Sequence, residues 1–243
     1  MVPPFINIHT HTPLPDSGLY SYGIHPWWLC HGEQNETIQK DFELLEKLLK
    51  ENRIAAIGEM GIDSISQATL SQQIEVFEKQ IPLSEHYQKP LVIHNVHGTN
   101  EILQLHKKHK PKQLWILHGF NGTVEEARQL TDKDLFLSVG ESIFYPNRKI
   151  SATIKTIPLD HLFLETDVSQ RSIQEVYKKV AELLNLPIEI LKQRLFDNFE
   201  QLKLTARETG NDRQGRSSET VALINLERGV FCASTTINEP LNR

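Results

Sequence analysis

The chain is poor in cysteine and lacks long apolar runs and a secretory signal, and each of these shortages excludes a class of protein. Cys30 and Cys232 are its only cysteines and lie far apart, so we expect no disulfide framework and infer a reducing compartment. No apolar stretch approaches the ~18 residues that a membrane span requires. The amino-terminal residues also lack the basic and apolar regions of a secretory signal, so we expect a cytoplasmic protein without a membrane partner.

The overall charge argues against a broad nucleic-acid-binding surface. The 243 residues carry a formal net charge of −5, whereas proteins that bind polyanions through their surface usually have a basic patch. A polyanionic substrate would therefore have to be held locally. With 39% hydrophobic and 23% charged residues, the composition is that of an ordinary globular protein.

Short apolar stretches alternate with helical patterns as far as about Leu204, which predicts an α/β fold. Each stretch is rich in β-branched or bulky residues and is bounded by proline, glycine or polar residues, as buried strands are. The stretches are PFINIH, LYSYGIH, IAAIGE, PLVIH, LWILH, LFLSVG and HLFLET. Polar residues end strand after strand, as at barrel active sites, so we predict a TIM-like (β/α) barrel of seven or eight parallel strands rather than an open sheet.

Helix boundaries can also be predicted. Thr123 with Glu126, and Ser172 with Glu175, have the spacing of a capping box, in which a hydroxyl and a carboxylate pair with free N–H groups at the start of a helix. Pro82 falls within a predicted helix and is expected to kink that helix or to end it early.

The chain divides into a predicted barrel domain, residues 1–205, and a carboxyl-terminal extension, residues 206–243. The extension begins with RETGNDRQGRSSE, which is polar and without period, as flexible linkers are. TVALINLERGVFCAST follows it and could form a β-hairpin around Gly229. We expect the extension to be poorly ordered or loosely docked.

Two histidines share one face of the first predicted strand. Because residues i and i+2 of a strand point to the same side, His9 and His11 in INIHTHT project together. Each could be an isolated histidine that is hydrogen-bonded in the core or at its rim. The pair at strand spacing instead favours a metal site, since imidazole is a common ligand of zinc-like ions.

Ligand-type residues also end four later strands. Glu59 follows the apolar run of the third strand, His94 and His118 end the next two, and Asp167 follows LFLET. In a parallel barrel these strand ends meet at one mouth, so a dinuclear site bridged by the Glu59 carboxylate is possible, with positions left for water and substrate. The corresponding division of ligands is His9, His11 and Asp167 on one metal, and His94 and His118 on the other.

An ordered series of motifs resembles the TatD family of metal-dependent hydrolases. The series consists of His-x-His (9–11), GIHP (23–26), IGEMGID (57–63), PLVIH (90–94), LHGFNG (117–122), LSVGESI (137–143), LETD (164–167) and DNFEQL (197–202). The resemblance implies a distorted TIM barrel with one or two divalent cations and a phosphodiesterase activity usually described as DNase, often 3′ to 5′ exonuclease action. It implies the same six ligands, namely His9, His11, Glu59, His94, His118 and Asp167.

The chain departs from the pattern of that family at several positions. Asn7 stands where an Asp commonly precedes His-x-His, so an amide replaces a carboxylate that would orient a ligand. NVH, residues 95–97, follows His94 where many relatives carry an Arg, which leaves this loop without its usual phosphate contact. Gly119 stands where a Cys is common, a change of little expected consequence.

The chemistry of bound cations suggests roles for individual residues. Glu59 and Asp167 are the predicted catalytic residues, and Asp167 is expected both to bind a metal and to help deprotonate water. His25 in GIHP is a candidate substrate contact or a hydrogen-bond donor behind the ligands. Glu165 is expected to face away from Asp167, as a structural carboxylate, if the strand continues that far. Trp27 and Trp28, which directly follow GIHP, could stack on a base, although packing of the loop is the favoured interpretation.

Three functions remain open at this point. The first is a TatD-like nuclease whose partner is DNA, as a single strand or a 3′ end. The second is an amidohydrolase-like metal hydrolase with a small substrate, although Glu59 stands where many such enzymes use a modified lysine. The third is a non-catalytic module that binds metal or nucleic acid, which the complete ligand set argues against. The metal could be zinc, magnesium or manganese, and no obligate protein partner can be predicted.

Overall fold

The computed structural model describes residues 3–11, 19–29, 34–207 and 223–226. Its strands are β1 (Asn7–Thr10), β2 (Leu19–Ser21), β3 (Ile57–Asp63), β4 (Leu91–Val96), β5 (Trp115–Leu117), β6 (Phe136–Val139), β7 (Leu162–Leu164) and β8 (Leu223–Leu226). Its α-helices are α1 (Gln34–Lys50), α2 (Leu70–Tyr87), α3 (Thr99–His109), α4 (Val124–Thr131), α5 (Ile150–Thr153), α6 (Ile173–Leu184) and α7 (Ile188–Arg207). Short 3-10 helices lie at Pro26–Leu29, Glu141–Phe144, Ile154–Thr156 and Leu159–His161.

The strands pair in parallel and together close a barrel. β3 to β7 form one sheet in sequential order, and β8 lies between β1 and β2 in another. Single bridges join the two sheets, one from Thr10 to Asp167 and one from Ser21 to Ala56. The order around the barrel is β1-β8-β2-β3-β4-β5-β6-β7, which confirms the predicted distorted TIM-like barrel.

The seven predicted strands correspond to β1 through β7, and β8 is the eighth. β8 lies within the stretch predicted as a hairpin, and it pairs with β1 and β2. The rest of that stretch, including Gly229, lies outside the described residues, as do residues 208–222. The domain boundary at residue 205 and the poor order of the extension therefore stay predictions, while α7 continues to Arg207.

Successive strand residues pack into two different apolar layers. Val92 and Ile116 belong to a cluster that α7 covers with Phe199 and Leu202. Their sequence neighbours, such as Ile93, belong to the larger cluster between the sheet and the outer helices. This alternation is the period of two expected of strands that are buried on both faces. His94 and His118 follow Val92 and Ile116 by two residues, so each continues the first of these layers toward the barrel mouth.

The predicted helix starts are confirmed, whereas the predicted effect of Pro82 on helix length is wrong. Both capping boxes form, with Thr123 and Glu126 at the start of α4 and the corresponding serine and glutamate at the start of α6. α2 continues past Pro82 to Tyr87. Burial of one face of α2 on both sides of the proline, including Ile81, outweighs the ~3 kcal/mol that a proline costs inside a helix.

No helix within the described ranges is both long enough and apolar enough to span a membrane.

Gly61 is the glycine on which the pairing of β3 with β4 depends. Its φ is +153°, and a Cβ there would clash with the carbonyl oxygen of its partner, His94. We therefore expect Gly61→Ala to lower the free energy of unfolding by more than about 2 kcal/mol, because the backbone of β4 must move. Urea denaturation of the metal-stripped protein measures this loss.

Gly119→Ala is the matched control for that substitution. The φ of Gly119 is also positive, at +61°, but the nearest atom to an added Cβ is an oxygen of Glu165 at 3.8 Å. Only the cost of the left-handed conformation applies there, about 1 kcal/mol. Equal losses for the two variants would show that the close approach at Gly61 is not what constrains the sheet.

Candidate metal centre

The two histidines of β1 face two carboxylates across the barrel mouth. Nε2 of His9 lies 3.1 Å from Oε1 of Glu59 and 3.6 Å from Oδ1 of Asp167. Nε2 of His11 lies 2.9 Å and 3.2 Å from the same two oxygens. The His9 side chain is fully buried, while that of His11 is one-third exposed. Four ligand-type atoms from β1, β3 and the end of β7 therefore converge, as the strand spacing predicted.

Glu59 presents its two carboxylate oxygens to different groups of histidines. Oε1 faces the two histidines of β1, whereas Oε2 lies 2.8 Å from Nε2 of His118. Oε2 also lies 3.7 Å from Nδ1 of His94 and 3.8 Å from Nε2 of His25. Glu59 is only 5% exposed. A carboxylate held in this way has the geometry to bridge two cations.

Asp167 reaches the site by a sharp change in backbone direction. β7 ends at Leu164, and Asp167 has a φ of +49°, so the condition under which Glu165 would face away from Asp167, a strand that continues to Asp167, is not met. The backbone N–H groups of Thr166 and Asp167 both donate to the carbonyl oxygen of His9, at 3.2 and 3.1 Å. Because the strand alternation stops, Glu165 and Asp167 both point into the site.

Glu165 lies behind His118 and is fully buried. Its Oε1 accepts a hydrogen bond of 2.6 Å from the backbone N–H of Gly119 and lies 3.8 Å from Nδ1 of His118. The carboxylate therefore faces the ring nitrogen of His118 that points away from Glu59, an arrangement that commonly orients a histidine ligand. The expected structural role of Glu165 agrees with this contact.

Three groups of side chains in the described part of the chain could each hold a metal ion. Glu59 belongs to two of the groups and Asp167 to two, and together the groups include every predicted ligand. The groups are His9, His11, Glu59 and Asp167; His25, Glu59 and His94; and His118, Glu165 and Asp167. The division differs from the predicted one, because His25 rather than His118 stands with His94, although His118 also contacts Oε2 of Glu59.

The unsatisfied atoms at the site fit a bound cation. Both ring nitrogens of His9 and of His118 are buried and make no hydrogen bond to any described residue. Carboxylate oxygens lie close to their Nε2 atoms without the alignment that a hydrogen bond needs. Buried imidazole nitrogens of this kind are costly unless something coordinates them. Divalent cations bound at the Nε2 atoms of His9 and His118 would give these nitrogens partners and offset the charge of Glu59 and Asp167.

The charges of the metal-free site are strongly coupled. Burial raises the pKa of the Glu59 carboxyl, but attraction by His118 and His9 outweighs burial and holds that pKa well below its usual value. Burial likewise opposes protonation of His118, yet Glu59 and Glu165 keep its pKa well above the usual value. Contacts with Asp167 and then Glu59 raise the pKa of His11 to about 9. The carboxylates of the metal-free site therefore favour protonation of His11 and His118, where a metal would otherwise bind.

Asp63 was not predicted as a site residue, and it determines how His94 is oriented. Its Oδ2 accepts a hydrogen bond of 2.8 Å from Nε2 of His94, which leaves Nδ1 of that ring to face Glu59. Despite the cost of burial, the contacts with His94, Trp27 and the backbone of Ile65 lower the pKa of Asp63 to about 2. A carboxylate behind a histidine is a recurrent feature of metal sites. The signal in the sequence that could have identified Asp63 was its position on the same strand as Glu59, at an even spacing from it.

The ring of His25 is oriented in the opposite way to that of His94, because its Nε2 rather than its Nδ1 faces Glu59. That Nε2 is a hydrogen-bond donor toward the site. Nδ1 of the His25 ring accepts the backbone N–H of Trp27 at 3.1 Å, so a neutral ring carries its proton on Nε2, the atom that faces Glu59. Burial, and then repulsion by His94, lower the pKa of His25 to about 3, so the ring is neutral. A protonated Nε2 cannot bind a metal. Of the two roles considered for His25, hydrogen-bond donation into the site agrees with this geometry.

Asn7 contacts the polypeptide rather than an imidazole. Its Oδ1 accepts the backbone N–H of Thr166 at 3.1 Å, and its Nδ2 donates to Oγ1 of the same residue at 2.8 Å. The hydroxyl of Thr166 in turn donates to Oγ1 of Thr10 at 2.9 Å. Asn7 therefore connects β1 to the segment that carries Asp167.

The loop after His94 is built around Asn95. Its side chain accepts from the backbone N–H of Gly98 at 2.9 Å and donates to Oγ1 of Thr99 at 3.0 Å, which starts α3. His97 in this loop is exposed. The loop therefore presents a histidine, and no arginine or lysine, beside the site.

Comparison with known proteins gives consistent matches. The family model for TatD related DNases matches residues 9–203. An uncharacterized metal-dependent hydrolase of Haemophilus influenzae is 28% identical over 220 residues, 82% of each chain. The crystal structure of YjjV, a TatD homolog from Escherichia coli, superposes with a TM-score of 0.67 at 23% identity and covers 76% of both chains. A TatD family hydrolase from Entamoeba histolytica gives a TM-score of 0.66 at 18% identity, covering 76% of this chain and 74% of that one. These two structures support the fold alone.

Metal binding should release protons from the site. Because the pKa of His11 is about 9 in the metal-free protein, its ring is protonated at neutral pH and must lose that proton to coordinate. We expect the apparent affinity for Zn²⁺ to rise between pH 6.5 and 8, with release of about one proton or more per metal ion. Titration calorimetry of the metal-stripped protein, in buffers of different ionisation enthalpy, measures both quantities. The exposed His97 provides the control, because His97→Ala should leave the proton count unchanged, and binding without proton release would contradict the described charges.

Proposed function

As a member of the TatD-related DNase family the chain is a metal-dependent hydrolase, and we propose that it cleaves phosphodiester bonds of DNA. The observation that carries this proposal is the Glu59 carboxylate, whose two oxygens face separate groups of histidines. Two cations on such a carboxylate suit the in-line displacement at a phosphodiester, where one oxygen attacks and another leaves.

The proposed ligands are the six predicted from the sequence. His9, His11 and Asp167 would hold one cation, and His94 and His118, which both face Oε2 of Glu59, would hold the other. His25 is left out because its Nε2 carries a proton. Imidazole together with carboxylate suits zinc or manganese better than magnesium, which prefers oxygen ligands.

The residues of the chain would contribute to hydrolysis in distinct ways. When bound, the cations would lower the pKa of water and offset charge on the phosphoryl oxygens. Asp167 is ionised, since its contacts with His11 and His9 overcome burial and lower its pKa, so its carboxylate could bind a cation and accept a hydrogen bond from water. The proton on Nε2 of His25 is available for a hydrogen bond to a substrate oxygen. Glu165 and Asp63 would keep His118 and His94 in their orientations.

A single strand or a 3′ end of DNA is the proposed substrate. The net charge of −5 argues against extended contacts with a duplex, so affinity would come from the site itself. The loop after His94 contributes no lysine or arginine, which also keeps recognition local. An amidohydrolase-like activity on a small substrate is the second candidate, and the absence of an arginine or lysine in that described loop is the observation that favours it.

Cleavage of labelled oligonucleotides tests the proposed activity directly. We expect metal-stripped protein to shorten single-stranded DNA only after zinc, manganese or magnesium is added, and the positions of 3′ and 5′ labels give the direction. Glu59→Ala and Asp167→Asn should lower the rate by about 10²-fold or more, because each removes a proposed ligand or proton acceptor. Circular dichroism checks that both variants are folded. Wild-type protein that is metal-loaded and folded but cleaves no DNA would contradict the proposal and favour the small-substrate hydrolase.

A comparison of two alanine variants separates the roles of the histidines at Oε2 of Glu59. His94→Ala removes a proposed ligand, so we expect both the metal content and the activity to fall. His25→Ala removes only a proposed donor, so the metal content should be retained while kcat falls about 10²-fold. Elemental analysis of the purified variants gives the metal content. Loss of metal from His25→Ala would show that His25 binds the metal and that its proton is displaced.

A further inference from the structure

The two tryptophans that follow His25 have different environments. Trp28 is partly buried, packs against the core and lies with its ring centroid 6.0 Å from that of Tyr22. Trp27 is 52% exposed and is, by side-chain size, the largest exposed hydrophobic residue among those the structure describes. The favoured sequence interpretation, packing of the loop, therefore describes Trp28, while Trp27 has no such role. The exposed part of the Trp27 indole is accessible to a ligand.

The backbone of Trp27 is fixed by the 3-10 helix that His25 caps. Nδ1 of His25 accepts the N–H of Trp27 at 3.1 Å, and its carbonyl oxygen accepts the N–H of Trp28 at 3.0 Å. Pro26 occupies the first helical position, where its missing N–H costs nothing. The residue that donates into the metal site therefore also sets the position of Trp27.

The indole of Trp27 is anchored to the carboxylate that orients a proposed ligand. Its Nε1 donates to Oδ2 of Asp63 at 2.7 Å, the oxygen that also accepts from His94. Oδ1 of Asp63 accepts the backbone N–H of Ile65 at 2.8 Å, so the carboxylate itself cannot turn. A half-exposed ring held in this way has little conformational entropy to lose when something binds to it.

A chain of short contacts connects the indole to the bridging carboxylate. Asp63 contacts His94, and Nδ1 of His94 lies 3.7 Å from Glu59. The rings of His25 and His94 lie 4.6 Å apart. The indole of Trp27 is separated by a single carboxylate from His94, a proposed ligand of the cation that would bind the phosphodiester.

We propose that Trp27 is the stacking surface for a nucleobase of the substrate, adjacent to the bond that is cleaved. This inference rests on the proposed nuclease function and adds how the substrate is recognised. Stacking does not depend on the base sequence, because every base has a π face, and it requires no basic surface. Stacking therefore suits a chain that has a net charge of −5 and no lysine or arginine in the loop after His94.

Binding to a matched pair of oligomers tests the inference without relying on catalysis. The probes are a fluorescein-labelled thymidine octamer and a base-free tetrahydrofuran octamer, both with phosphorothioate linkages that slow cleavage. Fluorescence anisotropy with the manganese-loaded protein gives both affinities. We expect Trp27→Ala to weaken binding of the thymidine octamer about ten-fold and of the base-free octamer less than about two-fold.

Two further variants separate stacking from simple apolar contact. Trp27→Phe keeps an aromatic face but loses the bond to Asp63, so we expect intermediate affinity for the thymidine octamer. Trp27→Leu has apolar bulk without a π face and should resemble Trp27→Ala. Elemental analysis should show the wild-type metal content in all three variants. Equal weakening on both octamers, or a leucine variant as good as wild type, would overturn the inference.

Cleavage of the unmodified octamer, measured in parallel, distinguishes this inference from the proposed function. If the wild type discriminates between the octamers in binding through Trp27 but cleaves no DNA, then the nuclease proposal fails and base stacking stands. If the wild type cleaves DNA and Trp27→Ala affects both octamers equally, then the nuclease proposal stands and the inference fails.

Discussion

The structure of the site depends on one buried carboxylate and the histidines that compensate its charge. Glu59 is 5% exposed, and an ionised group this far from water is costly unless opposite charges or metal ions surround it. Its oxygens contact histidines at the ends of β1, β4 and β5, so once Glu59 is buried these strands must bring their histidines together to keep the carboxylate ionised. The barrel therefore creates the charge environment on which the chemistry relies. A bound cation would supply the same compensating charge.

The sequence was sufficient to predict most of the barrel, because buried strands follow a local periodicity, and the same periodicity predicts the proposed ligands at the ends of β4 and β5. Each ligand on β4 and β5 follows a buried aliphatic residue by two positions, as His94 follows Val92 and His118 follows Ile116. An alternation of two is a property of any strand, and parallel strands bring their ends together at one mouth. The register of β8 was beyond such reasoning, since its pairing with β1 and β2 joins segments about two hundred residues apart.

The residues that the sequence did not assign correctly depend on turns and on contacts between loops. Asp167 enters the site through a left-handed backbone after β7 has ended, so strand periodicity does not apply to the direction of Glu165. The role of Asp63 requires that His94 turn its Nε2 toward it, and the role of His25 follows from a single backbone hydrogen bond. Sequence periodicity does not predict the orientation of either histidine ring, because each orientation depends on which hydrogen-bond partner the folded chain brings within reach.

Asn7 shows how a departure from the family pattern can preserve the site. Its amide oxygen accepts the N–H of Thr166, which fixes the amide nitrogen as the donor to the hydroxyl of Thr166. That hydroxyl is then free to donate to Thr10, whose own hydroxyl lies 3.5 Å from the carbonyl oxygen of Asp167. An ionised aspartate at this position could only accept, so a Thr166 hydroxyl that donates to it could no longer donate to Thr10. The amide thus supports a series of hydrogen bonds that ends at Asp167, and it does so without adding a further carboxylate to a site that already contains Glu59, Asp63, Glu165 and Asp167.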